Sequence, residues 1–176
     1  MRQNLVIIGS GGHGRAVLEA AILQNKYKVM GFVDDLAKES EKYGFKILGT
    51  TKDVLAGKVN ADYFIIAIGN NKIRKNIFAS LKQKLKPAII LHPSAVISPS
   101  SEIGNGTVVL ANSVIGASVT IGENCIINSM CLIDHETNAG DHIHISQGTI
   151  IGSNVRIKNE FSSELGARIK SFSIIK

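Results

Sequence analysis

Residues 103–133 read IGNGTVVLANSVIGASVTIGENCIINSMCLI, and an apolar residue returns at every sixth position: Ile103, Val109, Ile115, Ile121, Ile127 and Ile133. The same phase runs outward to Ile97 on one side. On the other it reaches Ala139, Ile145, Ile151, Ile157, Ser163, Ile169 and Ile175. Twelve of these fourteen positions are Ile or Val, so the phase holds along the whole second half. An α-helix would scatter residues at this spacing around its surface, and a plain strand alternates every second residue. A fixed period of six implies a solenoid in which each face adds one residue to a continuous apolar column.

A second column stands two residues earlier and is mostly small: Ala95, Ser101, Thr107, Ser113, Val119, Cys125, Cys131 and their successors. Large residues would fill the interior and small ones the places where the backbone turns a corner. Gly often follows the large residue, as in Ile103-Gly104, Ile115-Gly116, Ile121-Gly122 and Ile151-Gly152. Cys125 and Cys131 lie in the small column and are read as buried packing thiols rather than as a disulfide or metal ligands. This pattern resembles the hexapeptide repeat of the left-handed parallel β-helix. The handedness comes from that resemblance alone, since strand crossovers are ordinarily right-handed.

The first half alternates strands and helices. Leu5–Ile8 is apolar and runs into Gly9-Ser10-Gly11-Gly12-His13-Gly14, then a helix over 15–24. Strands are expected at 29–33, 63–68 and 88–91, and a helix at Ile73, Ile77 and Leu81, with His92-Pro93 as the hinge into the solenoid. That order predicts a small parallel sheet with helical crossovers. Gly9, Gly11 and Gly14 match G-x-G-x-x-G between a strand and a helix, and Asp34 follows twenty residues after Gly14, where a ribose-binding acid would stand. Glycines let backbone approach a phosphate, and a helix N-terminus offers unpaired N–H groups. The alternative is a tight turn that packs the helix on the sheet. A dinucleotide oxidoreductase needs a longer domain than one ending near Pro87, so the loop is read as a nucleotide site but not one for NAD. His13 either donates to a ligand or is a loop histidine. Asn70 and Asn71 fall at a strand's C-terminal end, where parallel sheets bind ligands, although Asn also caps helices. Arg74 is one helical turn on and is expected to face the same crevice.

The net charge of +6 raises nucleic acid as a partner, but the lysines are scattered and aromatics make up only 5%. Small anionic ligands, nucleotides or coenzyme A, fit better. No apolar run approaches the roughly 20 residues of a membrane span. The Met1-Arg2-Gln3-Asn4 start shows no cleavable signal, and a cytoplasmic location is expected.

The apolar column breaks in its middle at Ala139, beside Asp134-His135-Glu136-Thr137-Asn138 and Asp141-His142-Ile143-His144. Three of the five histidines fall within these ten residues. His135 and Glu136 have the chemistry of a base and its orienter: an imidazole takes a proton near neutral pH and a carboxylate stabilises the imidazolium. His142 is expected to face solvent. Zinc is a weak alternative, because the spacing matches no closed ligand set.

Together these stretches resemble the NeuD/PglD group of sugar acetyltransferases, which O-acetylate sialic acid or N-acetylate nucleotide-linked amino sugars. The resembling stretches are Val6–Val17 (VIIGSGGHGRAV), Gly31–Asp35 (GFVDD), Ile66–Arg74 (IAIGNNKIR), Leu91–Ile97 (LHPSAVI) and Ile133–Gly148 (IDHETNAGDHIHISQG). The resemblance implies a Rossmann-like nucleotide-sugar-binding domain over 1–90 and a left-handed β-helix acyltransferase domain over 91–176. It implies a homotrimer that uses acetyl-CoA as cosubstrate, needs no metal and serves surface glycan synthesis. Gly11, Gly12 and His13 would hold the nucleotide sugar, with Asp34 and Asp35 near base or ribose and Asn70 and Arg74 beside them. His135 would be the base and Glu136 its orienter. His144 would contact coenzyme A near the thioester, and a backbone N–H of Gly152 or Ser153 would stabilise the oxyanion. The final coil departs from the pattern: Lys158, Lys170 and Lys176 replace Gly, Ser163 replaces an apolar residue and Phe161 a small one. A trimer that binds nucleotide sugar but transfers nothing is therefore the alternative.

Overall fold

The computed structural model of the chain describes residues 2–175; Lys176, named above, and Met1 lie outside them. The chain opens with β1 (Asn4–Ile8), α1 (Gly12–Gln24) and β2 (Lys28–Val33). A short hairpin of β3 (Glu41–Lys42) and β4 (Phe45–Lys46) follows, then α2 (Thr51–Leu55), β5 (Tyr63–Ile66), α3 (Asn71–Leu81) and β6 (Lys86–Pro87). The sheet is parallel, in the order β2-β1-β5-β6. Val6, Ile7, Phe64 and Ile65 are fully buried, as expected for strands covered on both faces. The sequence reading missed the hairpin and α2. The periodicity is silent on two-residue strands, and α2 starts on a local device, a capping box between Thr50 and Asp53.

One strand assignment changes. Ile90–Leu91 does not close the first sheet; that edge is β6, and Ile90–Leu91 (β7) is the first rung of the solenoid. From there the chain winds as a triangular prism with three parallel faces. The first face stacks β7, β10 (Val108–Val109), β13 (Ile126–Ile127) and β16 (His144–Ile145). The second stacks β8 (Val96–Ile97), β11 (Val114–Ile115), β14 (Leu132–Ile133), β17 (Ile150–Ile151) and β19 (Arg168–Ile169). The third stacks β9 (Glu102–Ile103), β12 (Thr120–Ile121), β15 (Asn138–Ala139), β18 (Arg156–Ile157) and β20 (Ile174–Ile175). Partners such as Val108 and Ile126 are separated by eighteen residues, so three hexapeptides make one coil.

The second residue of each rung points inward, and Ile115, Ile127, Ile133, Ile145 and Ile151 are buried in one column. Residues two earlier are interior too; Cys125 and Cys131 are buried free thiols whose pKa values burial pushes up to about 11. The last coil stacks in register despite its composition. Ser163 accepts from the Ser146 N–H at 2.8 Å and pairs with Thr149 Oγ1 at 2.9 Å, so its buried hydroxyl is satisfied where Ile would have packed.

From the third corner onward, each turn holds one left-handed residue, three positions beyond the inward one. Gly106, Asn112, Ser118, Asn124, Met130, Glu136, His142, Gly148, Asn154, Glu160, Gly166 and Phe172 all have positive φ, in an unbroken period of six.

Candidate active site

His135 and Glu136 stand at the corner between the second and third faces, between β14 and β15. Asp134 Oδ1 accepts the His135 N–H at 2.8 Å and sets the turn. His135 Nδ1 lies 3.2 Å from Glu136 Oε2. Asn154, one coil on, donates to the same oxygen at 3.0 Å. Hydrogen bonds from Asn154 and then from His135 hold the Glu136 carboxyl below its ordinary pKa. An ionised Glu136 accepts from Nδ1–H, which leaves Nε2 as the ring nitrogen not engaged by Glu136. Both side chains are half exposed, at 50% and 59%, so a substrate can reach them. Gly116 lies one coil back; a Cβ there would come 2.8 Å from the His135 nitrogen. Beside this corner, a cavity of about 820 Å³ runs down the third face past Glu136, Asn154, Arg156, Lys158 and Phe172. Two cations and an apolar floor suit a long ligand with phosphates at one end.

The glycine loop joins β1 to α1. Gly11 is the N-cap, with no side chain capping the helix and no acid in the first turn. Gly11 and Gly12 are exposed, so the first N–H groups of a thirteen-residue helix are open to an anion. Gly14 must be Gly, since a Cβ would collide with the Gly9 carbonyl. A largely apolar cavity of about 460 Å³ adjoins the loop, between Gly11, Val33, Leu36, Ala67, Ile68 and Ile73; its shape and lining suit a nucleoside base. Asp34 and Asp35 border it, but both carboxylates are already engaged. Asp34 Oδ2 accepts from Ser10 N at 2.8 Å and Ser10 Oγ at 2.6 Å. Burial raises its pKa, and the bonds from Ser10 and Leu36 outweigh that and lower it. Asp35 accepts from Thr51 N at 2.7 Å and Thr51 Oγ1. Asp34 therefore shapes the loop, and Asp35 ties it to α2.

Three further expectations change. Arg74 does not face the crevice; it is wholly buried in the seam between α3 and the solenoid. Its Nε donates to Asn124 O, its Nη1 to Ile68 O and Gly69 O, and its Nη2 to Asn71 Oδ1, His142 O and Ile143 O, all at 2.7–3.0 Å. No donor remains for a ligand. Asn70 caps α3 by accepting from the Ile73 N–H at 3.0 Å. The N–H of Gly152 is bonded to Ile169 O and that of Ser153 to Ser171 Oγ, so neither is available to an oxyanion. Coil-to-coil pairing consumes them.

Four of the five histidines divide between two places. His144 lies on the first face, remote from the His135 corner in the same chain. Its Nδ1 is 3.2 Å from Gly69 O and its Nε2 3.3 Å from Asn128 Nδ2. The His13 ring stacks on it with centroids 6.3 Å apart. These two rings, Gly12, Gly69 and Ser146 enclose about 290 Å³. Burial, then His144 and Arg74, push the His13 pKa down to about 4, so its ring is neutral. His142 does not face solvent; it is half-buried, edge-on to Phe78 at 5.9 Å. Sequence reasoning missed Asn154, Gly116, Arg156 and Lys158. The eighteen-residue coil could have supplied the first two, since Asn154 follows Glu136 by one coil and Gly116 precedes Asp134 by one.

Comparison with known proteins bears on both halves. The PglD N-terminal domain model matches residues 4–81, and the GMPPB C-terminal domain model matches residues 73–174. No curated protein sequence matches the chain. Among solved structures, the acetyltransferase domain of PglB from Neisseria gonorrhoeae is 32% identical over 98% of this chain and 84% of that one, with a TM-score of 0.93. The same domain solved with acetyl coenzyme A is 31% identical over 99% and 85%, also at 0.93. Perosamine N-acetyltransferase from Caulobacter crescentus, solved with CoA and GDP-perosamine, is 23% identical over 98% and 88% with a TM-score of 0.82, a likeness of fold. The prism is thus the left-handed parallel β-helix of these enzymes.

Proposed function

The chain belongs to the NeuD/PglD group of sugar acetyltransferases, and on that premise we propose that it moves an acetyl group from acetyl-CoA to an amine or hydroxyl of a nucleotide-activated sugar. The observation that carries this is the His135–Glu136–Asn154 corner beside a basic groove, in a chain that also holds an open glycine loop. The resemblance and the bound ligand of the PglB domain support acetyl-CoA in the groove. Arg156 and Lys158 would meet its phosphates and Phe172 its apolar arm.

His135 Nε2 takes the proton of the acceptor as its nitrogen or oxygen attacks the thioester carbon. The carbon–sulfur bond then breaks, and the imidazolium returns the proton to the leaving sulfur. Glu136 holds the ring and supports its charge, and Asn154 fixes Glu136. Residues 1–90 would carry the nucleotide sugar, on the N–H groups of Gly12 and His13 with the base in the apolar slot, and residues 91–176 the transfer.

Within one chain the glycine loop and His144 lie against the first face, and His135 stands on the opposite corner. The reaction therefore needs a neighbouring chain, and a homotrimer supplies it. A row suited to that contact runs down the second face: Val96, Val114, Leu132 and Ile150 point outward in register, with Val96 64% exposed. His144 of one chain then meets the His135 corner of the next, which reconciles its expected contact with coenzyme A and its place beside His13. Among the described residues no helix is long and apolar enough to cross a membrane, and a cytoplasmic enzyme is the matching location.

The test is release of free CoA thiol from acetyl-CoA with a panel of nucleotide-linked amino and hydroxy sugars, with His135→Ala alongside. Release that depends on one sugar and falls about 10²–10⁴-fold in the variant supports the reading and names the acceptor. Retained nucleotide-sugar binding with no release would establish the non-transferring trimer instead.

A further inference from the structure

The seam between α3 and the solenoid holds a charged side chain that the transfer chemistry does not use. Arg74 is wholly buried, and among the described residues no carboxylate pairs with it; the guanidinium is held by five carbonyl oxygens and one amide oxygen. Buried charged groups are often replaceable by apolar packing at no loss of stability. A planar fork instead fixes the direction of each oxygen it bonds.

The oxygens belong to two groups. Ile68 O and Gly69 O sit in the loop that follows β5, between the base slot and the His13–His144 cavity. Asn124 O, His142 O and Ile143 O sit on the solenoid, and His142 ends the coil that carries His135. The loop carbonyl of Gly69 also receives His144 Nδ1. Two further contacts brace α3 along the same corner of the prism. Asn71 Nδ2 donates to Glu160 O and Phe161 O one coil on. Phe78 abuts Gly106, where a Cβ would come 2.5 Å from its ring.

We propose that Arg74 is a positioning residue, which fixes the height of the loop Ile68–Asn70, beside the base slot, on the coil that carries His135. The proposal rests on the transfer reading given above. In a closed ring of identical chains, height along the axis is the same for every chain. The loop's height on its own solenoid is therefore also its height against the neighbour's His135. Releasing the fork would leave a sugar bound but presented off line.

The test uses the full chain as Arg74→Lys and Arg74→Gln, with Asn71→Ala as a milder release of the same helix should either fail to fold. Steady-state thiol release gives kcat and KM, and hydrogen–deuterium exchange follows residues 67–71 against the rungs at 126–127 and 132–133. A misplacement of about 1 Å costs roughly 10–100-fold in rate, so kcat should fall by that factor. KM for the nucleotide sugar should stay within about threefold, and exchange in the loop should rise about tenfold while the rungs stay unchanged. Unchanged kcat with a loosened loop overturns the proposal, as does unchanged exchange in the loop or a loss of rate shared with nucleotide-sugar binding. If the native chain releases no CoA with any sugar, the transfer reading fails, and the exchange comparison alone decides whether Arg74 fixes the loop.

Discussion

Two corners of a single coil, Asp134–Glu136 and Gly140–His142, are built on the same turn and meet opposite fates. Glu136 and His142 both have φ 58°, and each N–H reaches back to the preceding coil, to Ala117 O and Glu123 O. The first corner is left open, so His135 and Glu136 lie half exposed beside a groove. The second is roofed by α3: Arg74 takes the His142 carbonyl, and Phe78 takes its ring. The repeat therefore supplies a rigid mount without choosing its use. What lies over the mount decides whether a histidine stands open to a ligand or only fills a seam.

If that contrast is right, the roofed side should respond to acid in stability. His13 has a pKa near 4 when folded against 6.5 unfolded. Between those values the unfolded chain binds a proton that the folded chain refuses, so stability is full above pH 6.5 and is lost as pH falls toward 4. The loss amounts to roughly 3 kcal/mol. Burial pushes His142 and His144 in the same direction. Melting curves from pH 7.5 to 4.5 should show the fall, and His13→Gln should flatten it; an equally steep fall in the variant would remove His13 as the cause.

On the open side the response should appear in rate. Gly116→Ala places a methyl against the His135 backbone, which should lower kcat about 10–100-fold while exchange at the α3 seam stays as in the native chain. Glu136→Gln should matter less. The pair is open to solvent, which screens it, so kcat should drop only about fivefold, and a drop as large as that of His135→Ala would show a deeper role. Smallest is the turn itself. Met130 occupies a left-handed corner at φ 61° and is 68% exposed. That conformation costs a non-Gly residue about 1–2 kcal/mol, and glycine returns about 0.5–1 of it as chain entropy. Met130→Gly should therefore gain about 0.5 kcal/mol, or roughly 2 °C in Tm.

The sequence reading succeeded where neighbours in space are neighbours in count. The period of six located the prism, and His135 beside Glu136 located the paired corner, because one turn holds both. It failed where partners carry no side-chain signature. Arg74 looked like a ligand residue because its partners are carbonyls at Asn124 and Ile143, 50 and 69 residues away, and every residue has a carbonyl. Asp34 borders the apolar slot, but its bond from Ser10, inside the glycine motif itself, gave no signal in the sequence. Gly152 and Ser153 seemed free until the next coil was in place to take their N–H groups.

The eighteen-residue coil also governs which changes of length the chain could survive. A whole added coil would lengthen the stack and leave every corner where it was. An insertion of one residue would exchange inside for outside in all that follows. An insertion of six is the deceptive case, since the hydrophobic pattern would look untouched. Placed ahead of residue 135, it would turn everything downstream by a third of a revolution and carry His135 out of the open groove to the corner beneath α3.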